Sequence, residues 1–151
     1  MKIHPSWKLQ NIDNDNIRIM LSYSPEYYKK RLRKIGFTGK TTKLLDAGCG
    51  AGHWAIVASY LNEEVKAIDT TKKYLNTAQE INTKFGRKNL KLTLGKMENL
   101  PYPDEYFDYV ISYCVWMYTD RPKSLQEMYR VLKPGGEIYI GAIAGLGWYL
   151  K

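Results

Sequence analysis

Residues 44–53 read Leu-Leu-Asp-Ala-Gly-Cys-Gly-Ala-Gly-His, and the rest of the chain can be organised around them. The apolar run Lys43–Ala47 before the glycines suits a short buried strand. Glycines at alternate positions, Gly48, Gly50 and Gly52, let the backbone turn sharply and let a ligand come close to it. Beyond them Trp54, Val57, Ala58 and Leu61 recur at i, i+3, i+4 and i+7, the spacing of one helix face. A strand passing through a glycine-rich turn into a helix is the opening of an α/β unit.

The same alternation continues outward in both directions. Residues 64–68 predict a second strand. Tyr74, Ala78, Ile81 and Phe85 share one face of a helix that Gly86 ends. Residues 90–94 and 107–113 predict the third and fourth strands, with a loop marked by Pro101, Pro103 and Asp104 between them. Pro122 opens a helix whose buried face carries Leu125, Met128, Tyr129 and Leu132. The stretch Lys133-Pro134-Gly135-Gly136 stops it, and residues 137–142 form a fifth strand. Upstream, residues 1–23 read as irregular and polar, with apolar anchors at Ile17, Ile19, Met20 and Leu21. Ser24-Pro25 starts a helix and Gly36 stops it. Strands alternating with helices of this length pair in parallel through right-handed crossovers. The expected fold is α/β: a Rossmann-like, doubly wound, mostly parallel sheet in a three-layer α/β/α arrangement. Its ligand site lies beyond the carboxyl ends of the strands. One domain is expected, with residues 1–42 as an amino-terminal cap segment and first helix, and 43–151 as the core.

A chain of 151 residues fits one hydrophobic core. Its 44% hydrophobic and 25% charged residues describe an ordinary globular protein and exclude a disordered one. No apolar run approaches the ~18 residues that span a bilayer, and the first fifteen residues lack the apolar stretch of a signal peptide. Cys49 and Cys114 lie far apart and match no metal-ligand spacing. They are expected to be reduced thiols, which places the chain in the cytoplasm with no metal site. Lys and Arg number 23 against 15 Asp and Glu, a net charge of +8 that permits an anionic partner such as RNA or an acidic metabolite. Part of that charge sits in Lys29-Lys30-Arg31-Leu32-Arg33-Lys34, read here as the solvated face of a helix with Tyr28, Leu32 and Ile35 inward.

Two acids narrow the chemistry of the glycine turn. Asp46 stands two residues before the first glycine, where a carboxylate repels a pyrophosphate and suits a cationic group. His53 occupies the place where a dinucleotide fingerprint needs its last glycine. S-adenosylmethionine, with an ammonium and a sulfonium, fits an acid plus glycines better than NAD does. Asp69, at the end of the second strand, is placed to accept hydrogen bonds from ribose hydroxyls; the alternative is a helix N-terminal charge near Thr70 and Thr71. Gly39-Lys40-Thr41 imitates the end of a phosphate-binding loop. However, that pattern needs a glycine where this chain has Lys34, and no strand precedes it.

Three segments in order, LLDAGCGAGHWA (44–55), ENLPYPDEYFDYVIS (98–112) and EMYRVLKPGGEIYI (127–140), with VKAID (65–69) between the first two, resemble the class I S-adenosylmethionine-dependent methyltransferases. The similarity is to the branch related to ubiquinone/menaquinone-biosynthesis enzymes. The resemblance implies that Asp46, Gly48, Cys49 and Gly50 cradle the methionine half of the cofactor. It implies that Asp69 with Thr70 holds the ribose, and that Met97, Glu98 and Tyr113 lie near the rest of the cofactor, whose product is S-adenosylhomocysteine. Two departures stand out. The acid that flanks adenine in the family is Lys96 here, which donates but cannot accept from an adenine amine. Met117 and Tyr118 stand where relatives carry a pair of histidines, so the catalytic residues are unknown, with Tyr118 and His53 as candidates. Tyr23, Tyr27, Trp116 and Tyr118 are the expected substrate-side residues.

The family continues past the fifth strand with another helix and two strands. This chain is therefore expected to lack the last strands and to be the first part of a longer protein, or else to dimerise or bind a partner through an exposed sheet edge. The leading expectation is a transferase that moves a methyl group to a small-molecule acceptor. A non-catalytic module holding the cofactor and an RNA methyltransferase using the basic run are the alternatives. The chain lacks the N/D-P-P-Y/F tetrapeptide of enzymes that methylate nucleic-acid amino groups.

Overall fold

A computed structural model of the chain describes residues 2–9, 12–141 and 147–150, the last four by their backbone. A 3-10 turn at Pro5–Trp7 is followed by α1 (Asp15–Met20), α2 (Pro25–Lys34), β1 (Gly39–Ala47), α3 (His53–Ala58), β2 (Asn62–Asp69), α4 (Lys72–Phe85), β3 (Leu90–Leu94) and β4 (Phe107–Tyr113). A second 3-10 turn at Trp116–Tyr118 leads to α5 (Arg121–Arg130), β5 (Leu132–Gly141) and β6 (Gly147–Leu150). Local chemistry fixes several of these boundaries. The Ser24 hydroxyl accepts from the Tyr27 N–H at 3.2 Å and Pro25 fills the first turn, so α2 starts there. Gly86 closes α4 in the left-handed conformation.

The strands form one sheet in the order β3-β2-β1-β4-β5-β6. The first five are parallel, and β6 runs antiparallel to β5 with Ile138 opposite Leu150 and Gly141 opposite Gly147. The alternation of side chains along β1 separates two cores. Leu44 packs with Leu32, Trp54, Leu75 and Ile81 on the face covered by α2, α3 and α4. Leu45 and Ala47 pack with Phe107, Met128 and Val131 on the face covered by α5 and the loop after β3. The sheet is therefore doubly wound with helices on both faces. The order in which strands are added reverses between β1 and β4, which opens a crevice at their carboxyl ends.

Several expectations are corrected. The first 23 residues are not irregular throughout: Asn14 caps α1 by accepting from the Ile17 N–H at 3.0 Å. Trp7 is fully buried, its ring 6.1 Å from Tyr28 and 5.9 Å from Phe85. A lone tryptophan carries no periodicity, which is why the sequence hid it. Helix α3 is a six-residue segment buried on every side, and Leu61 falls beyond its end. It lies in the layer that α2 and α4 share, so it has no solvent face to make it amphipathic. Tyr129 of α5 is half exposed rather than buried. Lys133–Gly136 belong to β5, which begins at Leu132 through an irregularity in its pairing with β4. The carboxyl edge of β5 is paired by β6, where the sequence had suggested a bare fifth strand. No helix among the described residues is long and apolar enough to cross a membrane.

Candidate functional site

The glycine turn is hooked to the end of β2 by hydrogen bonds. The N–H groups of Gly48 and Cys49 both donate to the Ile68 carbonyl, at 2.8 and 3.0 Å. The Asp69 carboxylate then takes the Gly50 N–H on Oδ2 at 2.9 Å and the Thr71 N–H on Oδ1 at 2.8 Å. Gly50 has φ +53, a conformation that a side chain at this position would strain. Asp69 is buried, yet each of its oxygens keeps a further lone pair after these bonds.

A cavity of about 780 Å³ opens over this turn. Gly48, Cys49, Gly50 and His53 form its floor, and Asp69, Thr70 and Thr71 border it at the end of β2. Tyr113, Cys114, Val115 and Tyr118 contribute the wall after β4. The amino-terminal segment closes the opposite side with Met20, Tyr23, Tyr27, Tyr28 and Arg31, and Tyr74 reaches in from α4. The structure thus brings together Gly48, Cys49, Gly50, His53, Asp69, Thr70, Tyr113, Tyr23, Tyr27 and Tyr118 among the residues singled out from sequence. Tyr23 and Tyr27 stack at 4.3 Å between ring centres with planes 17° apart. Their placement follows from Trp7, whose indole N–H donates to the Tyr23 carbonyl at 2.7 Å, and from Tyr28, whose hydroxyl donates to the Met20 carbonyl at 2.8 Å.

Four of the singled-out residues stand elsewhere. Asp46 is buried beneath the turn, where its Oδ2 accepts from the Ala55 N–H in the first turn of α3 at 3.0 Å. That helix has Gly52 at its N-cap and no side-chain cap, so the Asp46 carboxyl oxygen satisfies an otherwise orphan donor. Burial pushes its carboxyl up to about 8 from 3.8. Met97 is buried in the second core, and Ser112 donates to its sulfur at 3.7 Å. Glu98 accepts from the Asp120 N–H at 3.0 Å and so ties the loop after β3 to the start of α5. Trp116 packs against the second core with the Arg121 guanidinium 5.7 Å from its ring centre, so it does not share a wall with Tyr118.

Of the candidate bases, His53 is 7% exposed and burial lowers its pKa to about 3, so its ring stays neutral at physiological pH. Its Nδ1 is buried without a hydrogen-bond partner. Tyr118 stands at the rim, 80% exposed. The sequence reading missed Met20, Tyr74 and Arg31. Tyr74 was assigned to the buried face of α4 but reaches the cavity, and Asn16 donates to its hydroxyl at 3.1 Å. Met20 lies against the glycine turn, its sulfur accepting from the Ala51 N–H at 3.4 Å. Arg31 was placed with its basic neighbours on the solvated face of α2, and instead turns to the cavity. The available signal was its spacing, three and four residues beyond Tyr28 and Tyr27 on one helix face.

A family described as "Methyltransferase domain" matches residues 38–148. The chain is 32% identical over 142 residues to a demethylmenaquinone methyltransferase of Listeria monocytogenes, a match covering 91% of this chain and 60% of that protein. This chain therefore spans about 60% of the length of that relative. Among solved structures, the YcgJ protein of a Bacillus superposes with a TM-score of 0.72 at 28% identity, over 76% of this chain and 50% of that one. A SAM-dependent methyltransferase from Aquifex aeolicus superposes with a TM-score of 0.64 at 29% identity, over 78% of this chain and 72% of that one.

Proposed function

The chain belongs to the methyltransferase-domain family, and from that membership we propose that it binds S-adenosylmethionine over the glycine turn and directs its methyl group to a small-molecule acceptor. The observation that carries this reading is the shared cavity: the Gly48–Gly50 turn and Asp69 border the same space as the tyrosines of the amino-terminal segment. Its volume of about 780 Å³ suits a cofactor with a modest partner, since small-molecule pockets span about 300–1,000 Å³.

The residues present fit the cofactor. Asp69 offers free lone pairs to a ribose diol while the backbone of Gly50 and Thr71 holds it in place. The glycine floor admits a chain that any Cβ would displace: one at Gly50 would come within 2.7 Å of the Met20 sulfur. With the cofactor seated over the turn, Met20 would have to swing aside, because its thioether lies against the Ala51 N–H. Asp46 acts from below, holding the first turn of α3 through Ala55.

The cofactor supplies a methyl group on a sulfonium, a leaving group that needs no further activation. The protein's task is then to align the nucleophile and exclude water, which by itself supplies much of the rate in such displacements. Tyr23, Tyr27, Tyr28 and Tyr113 suit that task as a mostly aromatic enclosure facing the glycine turn, and aromatic faces favour a neighbouring cation. The neutral His53 is too weak a base to take a proton at physiological pH, which favours an acceptor that arrives ionised or reacts without prior deprotonation. The curated relatives are named demethylmenaquinone methyltransferases, which supports a small molecule as the acceptor. Residues 1–42 act in this reading as the cap over the acceptor side, residues 43–151 as the cofactor-binding core, and the cytoplasm is the compartment. The basic run supports an RNA acceptor weakly, because Lys29 and Arg33 of that run pair with Glu26 on the same helix.

A melting experiment tests the reading. S-adenosylhomocysteine at a hundredfold excess over its dissociation constant should stabilise the chain by about 2.7 kcal/mol, visible as a concentration-dependent rise in Tm. An equal rise with NAD, or none with either ligand, would contradict it.

A further inference from the structure

Arg31 is a cation held in the cavity wall without a carboxylate partner among the described residues. Its Nη1 donates to the Tyr27 hydroxyl at 3.0 Å and its Nη2 to the Tyr139 hydroxyl at 3.3 Å. Its guanidinium carbon lies 5.7 Å from the ring centre of Tyr27 and 5.6 Å from those of Trp54 and Tyr113. Trp54 and Tyr139 stand outside the cavity wall, whereas Tyr27 and Tyr113 belong to it. The guanidinium is therefore fixed from behind by neutral groups and borders the cavity. Glu26, the acid of the same helix, is engaged by Lys29 and Arg33 instead.

Neutral hydroxyls and ring faces orient a guanidinium but do not cancel its charge. A guanidinium has five N–H donors, and among the described residues two of them are used, which leaves three in a planar fork. A half-buried cation gains most from an oxyanion that takes two of these donors at once. We propose that Arg31 is the anchor of an anion subsite, and that the molecule methylated here is a small acid bearing a carboxylate or phosphate, seated among Tyr27, Tyr113 and Arg31. That the anion is the methyl acceptor rests on the methyl-transfer reading; that an anion binds beside Arg31 does not. The subsite also fits the lack of a strong base, because it selects an acceptor by its charge and leaves the nucleophile to be placed by geometry.

The test is calorimetric titration of benzoate, phenyl phosphate and benzyl alcohol into the chain, alone and saturated with S-adenosylhomocysteine. At least one of the two anions should bind, more weakly as salt rises, with benzyl alcohol roughly tenfold or more weaker. The stronger of the two anions assigns the acid as carboxylate or phosphate. Arg31→Gln should weaken the anion roughly tenfold or more. Lys30→Gln, which removes the same charge from an exposed position of the same helix, should leave anion affinity unchanged. An Arg31→Gln chain that keeps the wild-type melting temperature and still holds the anion as tightly would overturn the proposal, as would binding of neither anion or equal binding of benzyl alcohol. Anion binding without any S-adenosylhomocysteine binding would instead remove the methyl-transfer reading and leave the anion subsite standing.

Discussion

Burial pushes the Asp46 carboxyl up to about 8 and lowers the His53 imidazole to about 3, and the two side chains lie seven positions apart on either side of the glycine turn. Between pH 4 and 8 Asp46 stays protonated when folded but ionises when unfolded, so rising pH removes on the order of 1 kcal/mol of stability per unit. Between pH 6.5 and 3 His53 stays neutral when folded but charges when unfolded, so falling pH removes about the same. The two slopes nearly cancel from pH 4 to 6.5, and Asp46 alone acts above that. Urea denaturation should therefore show His53→Gln losing stability steadily from pH 4.5 to 8. Asp46→Asn, which keeps an acceptor for the Ala55 N–H, should gain stability up to pH 6.5 and then level off. Its advantage over the wild type should grow by about 2 kcal/mol between pH 6.5 and 8. Parallel curves for all three proteins would mean that neither group is as deeply desolvated as the structure places it. The sequence showed both residues as polar neighbours of a glycine turn. It did not show that one lies beneath the turn and the other in the cavity floor, because burial depth depends on strands and helices remote in the chain. Arg31 was hidden for a related reason: a basic run reads as solvated unless the tyrosines and β5 that surround one member are known.

Elements with both a periodic pattern and a chemical boundary were legible. Helix α2 runs from the Ser24 cap almost to Gly36, α4 ends at Gly86, and β4 covers the apolar run 107–113. Elements lacking one of those signals were not. α1 is six residues long, and α3 is buried on all sides, so neither shows an amphipathic stripe long enough to fix its ends. β5 begins at Leu132 and runs through a Pro-Gly-Gly stretch that ordinarily breaks structure. The glycine turn packs closely against its neighbours. Gly52 starts α3 at φ +76, and a Cβ there would come within 2.8 Å of the Ala78 Cβ on α4. Gly36 has a similar φ of +80 with nothing within 4 Å. Gly36→Ala should therefore cost about 1–2 kcal/mol for the left-handed backbone alone. Gly52→Ala should cost more, because α3 and α4 must also move apart, and should weaken cofactor binding as the turn shifts. Equal losses in chemical denaturation would show that α3 is free to slide over α4.

The molecule as a whole follows from an order of strands that the sequence implied. Alternating strands and helices require parallel pairing, and the reversal between β1 and β4 puts the crevice where the glycine turn and Asp69 meet. The sheet side of the cavity could be read in advance for that reason, since its residues follow the carboxyl ends of β1, β2 and β4. The opposite side was read less well. Tyr23 and Tyr27 do line the cavity, but Arg31, Tyr74 and Met20 come from elements whose packing over the sheet no local pattern encodes. β6 at the sheet edge was equally unforeseen, since Gly-Leu-Gly interrupts any strand pattern before Trp148. The central claim, that S-adenosylmethionine is held between the glycine turn and Asp69, has a direct measurement: calorimetric titration of the chain with S-adenosylmethionine and S-adenosylhomocysteine, repeated on Asp69→Asn. That variant keeps one carbonyl acceptor for the backbone but loses the charge and one acceptor oxygen. Both ligands should bind saturably at one site, roughly tenfold or more weakly in the variant. A folded wild-type chain that binds neither ligand, or an Asp69→Asn chain that binds both as tightly as the wild type, would contradict it.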